Sequence, residues 1–201
     1  MLLDVKNVVN VLLVLLSQSE ETEVSEKVDN QIPICSRVRK FEVCGGVCVN
    51  IKRAKTENFE DVKLITHETI KEIYPHYYPR GVVDFFLEHH NSENITKDIL
   101  ADIVYLIMDG EEILGTVTIK ENEICRLFVL PQHQRKGVGK QLLDFAEKKI
   151  ADKYADIILD SSLPAKDIYR KRGYKIIESH KIVTANEDVL CYDLMKKNTR
   201  D

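Results

Sequence analysis

The chain has 201 residues, of which 44% are hydrophobic and 31% charged, and its formal net charge is −4. This composition is that of a soluble globular protein with one medium domain, or one domain and a small appendage. A mildly negative chain has no general basic surface for polyanions, so we expect no nucleic acid partner.

The first fifty residues differ in character from the rest. An apolar run at Val8–Leu16 is too short to span a bilayer. Asp4 and the missing small-residue cleavage site argue against a secretory signal, so we expect a cytoplasmic protein without a membrane partner. Residues 1–48 fit a helical extension that packs on the rest of the chain or on a second copy in a homodimer. They also fit a winged-helix-like unit whose recognition helix carries Arg37, Arg39 and Lys40.

The cysteines give no sign of a disulfide framework or a metal site. They are odd in number and irregularly spaced, and no second Cys or His pair stands at ligand spacing. The adjacent pair His89-His90 also lacks the spacing and the third ligand that a metal needs. The five cysteines (Cys35, Cys44, Cys48, Cys125 and Cys191) suit a reducing interior, and we expect Cys44 and Cys48 to be small buried side chains and not metal ligands.

The middle of the chain predicts a strand, two helices and three strands. Alternation at Val47–Ile51 indicates a strand, and Thr56 is placed to cap the helix that follows. Two prolines end that helix, and Val82–His90 is typical of a second one. The next three strands are predicted at Ile103–Met108, Ile113–Lys120 and Ile124–Leu130, with Asp109-Gly110 as the first hairpin turn.

The last third predicts a long amphipathic helix and further mixed elements. Apolar residues from Val138 to Ile150 recur at helical spacing. The remaining elements are a strand at Asp156–Leu159, a helix at Ala165–Arg172, and strands at Tyr174–Val183 and Val189–Met195.

The loop before the long helix has the composition of an anion site. Gly137 and Gly139 in the first turn let a ligand approach the free N–H groups of a helix start. A P-loop is excluded because Gln134 and Gln141 replace its first glycine and its Ser or Thr, and Leu142 replaces the third glycine of a dinucleotide fingerprint.

The charges around this loop are reversed from those of an ordinary helix start. Arg135, Lys136 and Lys140 stand at the positive end of the helix dipole, where each cation costs roughly 0.3–1 kcal/mol. An anionic ligand at this position explains the arrangement. A solvated, glycine-weakened helix start that binds nothing remains the alternative.

Two motifs resemble the GNAT superfamily of N-acetyltransferases. Val129-Leu130-Pro131 followed by Gln134–Gly139 is similar to the acetyl-CoA-binding segment, and Ala165–Tyr174 is similar to the second signature, which ends in Tyr-x-x-x-Gly-Tyr. The resemblance covers about residues 49–196. It implies a GNAT-like domain at 49–197, with a mostly antiparallel mixed sheet flanked by helices and a splayed parallel strand pair at the cofactor site.

The resemblance also implies how acetyl-CoA is held as co-substrate. The family's pantetheine arm pairs with the strand end, and Ser162 stands where many members have Asn. The loop N–H groups then cradle the pyrophosphate. The residues implied in cofactor binding are Phe128, Val129, Leu130, Gln134, Arg135, Lys136, Gly137, Val138, Gly139, Lys140 and Ser162.

The implied reaction is attack of a neutral primary amine on the thioester within a ternary complex. Tyr169 matches the family tyrosine that protonates the departing thiolate, and Glu123 matches a base in some members, with a water chain as the alternative. The acceptor would be a small molecule or a peptide amine. Two other functions stay open, namely an acyl-CoA-sensing regulator with an N-terminal DNA-binding unit and a catalytically silent scaffold.

Overall fold

The structure, a computed structural model, describes residues 49–200. The predictions for residues 1–48, including the DNA-binding unit and three of the five cysteines, lie outside this range. The strands are β1 (Val49–Arg53), β2 (Val104–Asp109), β3 (Glu112–Lys120), β4 (Glu123–Val129), β5 (Asp156–Ser162), β6 (Lys175–Val183) and β7 (Val189–Asn198). The helices are α1 (Phe59–Ile73), α2 (Arg80–His89), α3 (Ser92–Leu100), α4 (Val138–Ala151) and α5 (Lys166–Lys171).

In residues 49–200 the strands form one seven-stranded sheet in the order β1-β2-β3-β4-β5-β7-β6. Neighbours are antiparallel except β4 and β5, which run parallel. This confirms the predicted mixed, mostly antiparallel sheet with one parallel pair.

The helices cover both faces of the sheet. Successive side chains of a strand point to opposite faces. On β4, the Phe128 ring meets His90 at the end of α2, with centroids 5.5 Å apart. A Cβ added at Gly115 of β3 would approach the side chain of Val129 in β4 and that of Leu142 in α4, so these two side chains lie on one face. Therefore α4 lies on the face opposite α2, while α1 packs on β3 and β4 and contacts α2 and α3.

Most predicted elements are present, with three differences. Thr56 is not the cap of α1: it begins a short 3-10 turn, and Asn58 stands at the N-cap without a side-chain capping bond. Helix α3 was not predicted, although Asn91 caps it by accepting a hydrogen bond from the N–H of Asn94 at 2.9 Å. Strand β5 extends to Ser162 instead of ending at Leu159, and β7 extends to Asn198 instead of ending at Met195, because the two strands pair along the whole length of β5.

The aromatic segment before and within α2 belongs mainly to the core. Tyr74, Tyr78 and Phe86 are buried, and the rings of Tyr74 and Phe86 meet edge to face at 4.5 Å. This packing anchors the start of α2 beside the sheet. Within the described range, every helix is too short or too polar to cross a membrane.

Candidate active site

The parallel strands β4 and β5 separate almost as soon as they meet. Their register contains one pair, Glu123 with Ile158, and the Ile158 N–H donates to the Asn122 carbonyl at 3.0 Å. From that point β4 continues to Val129 while β5 pairs only with β7 on its other side. A strand edge without a partner exposes backbone donors and acceptors. The divergence therefore opens a gap lined by backbone groups of β4.

Hydrogen bonds show which groups of β4 face this gap. The Leu130 N–H donates to the Leu114 carbonyl at 3.0 Å, towards β3. The Val129 carbonyl instead accepts from Gln134 Nε2 at 2.9 Å and lies 3.2 Å from Thr69 Oγ1. Backbone groups alternate sides along a strand. The N–H and C=O groups of Val129 therefore face the gap, whereas those of Phe128 and Leu130 face β3.

The loop after β4 turns sharply into α4. The Gln134 N–H donates to the Pro131 carbonyl at 3.2 Å, and the Gln134 side chain bonds to the strand end. Arg135 and Gly137 both have left-handed backbones, with φ of 59° and 81°. A left-handed conformation costs a non-glycine residue roughly 1–2 kcal/mol. The loop is therefore held in a strained form by the contacts around it.

The start of α4 has no internal cap. Gly137 is the N-cap residue and makes no side-chain capping bond, and the first turn contains no acidic residue. The first N–H groups of an α-helix have no partner within the helix. A Cβ added at Gly137 would find nothing within 4 Å, so this backbone borders open space. The arrangement has the donors and the access of an anion site.

Basic side chains surround this helix start. Arg135 and Lys136 are exposed, and neither forms an ion pair with a described residue. Lys140 lies 3.3 Å from Asp144, one turn along the helix. The predicted concentration of positive charge is therefore present beside the uncapped N–H groups.

Tyr169 has an unsatisfied hydroxyl inside the protein. Its side chain is fully buried, and the hydroxyl has no hydrogen-bond partner among the described residues. Burial raises the pKa of Tyr169 well above its ordinary value, and the carboxylate of Glu147 raises it further. The group stays protonated at neutral pH and has a proton available to donate.

Tyr169 lies on α5, which contacts β5. Arg172, at the end of α5, ties this helix to α4, because its Nη2 donates to Glu147 Oε2 at 2.9 Å. Burial raises the pKa of Tyr74, and the nearby hydroxyls of Tyr78 and Tyr169 raise it further.

Ser162 ends β5 and is fully buried. Hydrogen bonding to the Ser162 side chain and to the Leu163 N–H lowers the pKa of the Tyr78 hydroxyl, but burial outweighs both and raises it to about 12. The Leu163 N–H donates to Tyr78 Oη at 2.9 Å. Ser162 is thus part of a small hydrogen-bonded group that joins β5 to the segment before α2.

Glu123 is half-buried at the first position of β4, where β4 and β5 still pair.

A buried charge that was not predicted from the sequence lies farther along the same strand. Arg126 is 3% exposed, and its Nη2 lies 3.0 Å from Asp98 Oδ2 of α3. Its Nη1 donates to Thr118 Oγ1 at 3.1 Å, and its Nε donates to His90 Nδ1 at 3.3 Å. The signal in the sequence is an arginine within the apolar run of Ile124–Leu130.

The hydrogen bond from Arg126 determines which ring nitrogen of the neighbouring imidazole carries no proton. A guanidinium only donates, so His90 Nδ1 must carry a lone pair. Burial lowers the pKa of His90 well below its ordinary value, and Arg126 lowers it further. His67 Nε2 lies 2.8 Å from the His90 carbonyl and donates to it. No three His, Cys, Asp or Glu side chains in residues 49–200 are placed to hold a metal ion together.

Comparison with known proteins identifies the family. The family model of the acetyltransferase (GNAT) domain matches residues 73–187, more than half of the chain. The chain belongs to the GNAT acetyltransferase family. The N-alpha-acetyltransferase of Sulfurisphaera tokodaii is 25% identical over 143 residues, which cover 64% of this chain and 81% of that relative.

Solved structures of GNAT proteins share the fold. The GCN5-related N-acetyltransferase of Rhodopseudomonas palustris superposes with a TM-score of 0.68 at 18% identity, covering 74% of this chain and 94% of that one. The PaiA N-acetyltransferase of Thermoplasma acidophilum, solved in complex with coenzyme A, gives 0.60 at 21% identity, covering 75% and 98%. The expected resemblance and fold class are confirmed.

Proposed function

We propose that this GNAT protein transfers an acetyl group from acetyl-CoA to a primary amine by direct attack in a ternary complex. The observation that carries the proposal is the uncapped start of α4, which borders open space at the end of β4. A family resemblance alone leaves room for a chain that has lost its cofactor site. An exposed set of helix N–H groups with basic side chains around them is the feature that a diphosphate needs.

The N–H groups from Arg135 to Lys140 are the proposed pyrophosphate donors. The Gln134 N–H is already bonded to Pro131, so Gln134 contributes mainly by holding the loop against Val129 through its side chain. Arg135 and Lys136 add charge next to the phosphates. This division of roles refines the set expected from the resemblance, in which Gln134 supplied an N–H.

The pantetheine arm is proposed to lie in the gap beside β4. The Val129 carbonyl already has two neighbours, Gln134 Nε2 and Thr69 Oγ1, and a carbonyl has two lone pairs. Its N–H therefore remains the Val129 group suited to an amide of the arm. Phe128 and Leu130 face β3 and would act by shaping the strand, while Ser162 closes the gap from β5.

The acceptor amine must lose a proton before it attacks. An amine with a pKa near 10.4 costs roughly 4–5 kcal/mol to deprotonate at pH 7. Glu123 is the proposed acceptor of this proton, directly or through water, because it lies where β4 and β5 separate and is half-buried. The new N–C bond then forms as the C–S bond of the thioester breaks.

Tyr169 is proposed to give its hydroxyl proton to the departing thiolate. A buried hydroxyl without a protein partner lowers stability, and because Tyr174 has one as well, it is the family signature that assigns the acid role to Tyr169. The raised pKa keeps the proton on Tyr169 until a strong base, the thiolate, is present. The attacking nitrogen loses a second proton as the amide forms, which balances the one that Tyr169 gives up, while the proton taken by Glu123 passes to solvent.

The experiment is a comparison of Tyr169→Phe with Tyr174→Phe in the full chain. Both side chains are buried, their rings are 5.5 Å apart, and neither hydroxyl has a hydrogen-bond partner among the described residues. Removing either hydroxyl should leave the free energy of unfolding unchanged or raise it by about 1 kcal/mol.

Only Tyr169→Phe should lower kcat, by about 100-fold, because general acid catalysis typically contributes that much. The measurements are urea unfolding and thiol release with acetyl-CoA over a panel of amine classes. Full turnover by Tyr169→Phe, or an equal loss in both variants, would remove the acid role.

A further inference from the structure

A cavity of about 270 Å³ lies on the face of the sheet opposite α4. Strands β3 and β4 form its floor, and α3 and the end of α2 form its sides. Its volume is close to the lower end of sites that enclose small ligands. The lining residues that matter here are His89, Lys97, Asp98, Lys120, Glu123 and Arg126. The proposed base and the buried arginine therefore share one cavity.

Arg126 gives this cavity a fixed positive wall. Its side chain is 3% exposed, and burying a charge is costly unless it is paired. Asp98, Thr118 and His90 account for three of its five N–H groups among the described residues. The guanidinium is held in place by these contacts and keeps donor capacity for an oxygen-bearing ligand.

The charged side chains of the cavity lining have both signs, and the positive ones outnumber the negative ones. Lys97 and Lys120 are exposed at its rim, and neither forms an ion pair with a residue in the described range. Asp98 is paired with Arg126, which leaves Glu123 as the other acidic residue in the lining. Burial, followed by Arg126, lowers the pKa of His89 to about 4, so its imidazole is neutral at pH 7.

The geometry points to this cavity as the acceptor site for a small amine that also carries a carboxylate, as an amino acid does. This inference rests on the proposed function and specifies its substrate class. The amine end would lie at Glu123, and the carboxylate would bind the Arg126 guanidinium and the two rim lysines. A polyamine would bring a second positive charge towards Lys97 and Lys120 and is disfavoured by the same arrangement.

The test compares amines that differ only in the carboxylate. The full chain with acetyl-CoA is assayed for thiol release with γ-aminobutyrate against butylamine, with longer and shorter pairs of the same kind, and with α-amino acids and spermidine. The best carboxylate-bearing amine should exceed its matched alkylamine by at least about tenfold in kcat/KM, the size expected for one charged hydrogen bond. Equal values, or a preference for spermidine, would overturn the inference.

Variants at the rim separate binding from folding. Lys97→Gln and Lys120→Gln should each raise KM for the carboxylate substrate about two- to fivefold, as for exposed ion pairs, and should change KM for the alkylamine less than that. Lys153→Gln, an exposed lysine just after α4 and outside the cavity, is the control and should change neither value. Unchanged KM values in both rim variants would contradict the proposal.

Arg126→Lys keeps the charge but loses the planar fork, so KM should rise at least about tenfold. Circular dichroism checks its folding, and the rim variants carry the test if it does not fold. Calorimetric binding of the amino acids to the CoA-loaded protein is a second readout, and its absence would also overturn the inference. A chain that does not bind acetyl-CoA would instead contradict the proposed function.

Discussion

At the scale of single residues, two residues of the proposed site have a backbone conformation or a buried polar group that lowers stability. Arg135 has the left-handed conformation that ordinary side chains avoid, and Tyr169 keeps a buried hydroxyl without a partner. The same features occur elsewhere in the described range, at the left-handed Glu121 and Glu187 and at the Tyr174 hydroxyl, so they mark the proposed site only together with the family motifs.

Gly137→Ala tests the conformation of the loop. At φ of 81° an alanine should lower the free energy of unfolding by roughly 1–2 kcal/mol, and its Cβ would project into open space beside the helix N–H groups. We expect acetyl-CoA to bind about tenfold more weakly, as a loss of about 1.4 kcal/mol.

Gly110→Ala is the matched control for this variant. Gly110 has φ of 58° at the β2–β3 turn, and a Cβ there also has nothing within 4 Å. The Gly110→Ala variant should lose a similar amount of stability and bind acetyl-CoA as tightly as the unaltered chain does. Calorimetry and urea unfolding measure the two effects. Equal affinities in the two variants would show that the loop conformation does not matter for the cofactor.

At the scale of elements, the sequence predicted those with strong periodicity and missed one that depends on a cap. The strands of the sheet and α4 follow from alternation, turn residues and an apolar stripe. Helix α3 has two fully or nearly fully buried apolar residues, Ile95 and Ile99, so its amphipathic pattern is short. Besides burying these two side chains, it brings Asp98 to Arg126. That long-range pairing could not be read from local sequence.

The imidazoles beside this pair predict a pH dependence of stability. The pKa of His89 is lowered to about 4 and that of His90 is also lowered, so both are neutral in the folded protein above their ordinary pKa of about 6.5. The unfolded chain binds these protons first as pH falls. Stability should therefore be complete above about pH 6.5 and decline towards pH 4, by up to about 1.4 kcal/mol per pH unit for each imidazole.

Urea unfolding at a series of pH values measures this decline. His89→Gln should make the decline of stability with falling pH shallower. His76→Gln, at an exposed position, should leave the decline unchanged. Asp156 and Asp193 also have lowered pKa values, but their contribution is lost only below about pH 4, where ordinary aspartates protonate. A flat profile between pH 6.5 and 4 would show that these imidazoles are not buried in the neutral form.

At the scale of the whole molecule, two short motifs were enough to predict the family and the sheet, because each has a mechanical role. The glycine loop turns a strand into an open helix start, and the Tyr-x-x-x-Gly-Tyr segment buries Tyr169 in α5. The cavity around Arg126 was not predicted, since it is built from α2, α3, β3 and β4 together. The proposed acceptor specificity depends on such non-local packing, whereas the proposed pyrophosphate site lies in one contiguous segment, the loop before α4 and its first turn.

The most direct test of the whole account is calorimetric titration of the full chain with acetyl-CoA and, separately, with pantetheine. The helix N–H groups and the basic side chains of the loop should bind the pyrophosphate. We therefore expect one acetyl-CoA site whose affinity falls as salt is added, and pantetheine binding at least about 100-fold weaker. No detectable acetyl-CoA binding at millimolar concentration, or equal affinity for pantetheine, would contradict the assignment of α4 as the phosphate site.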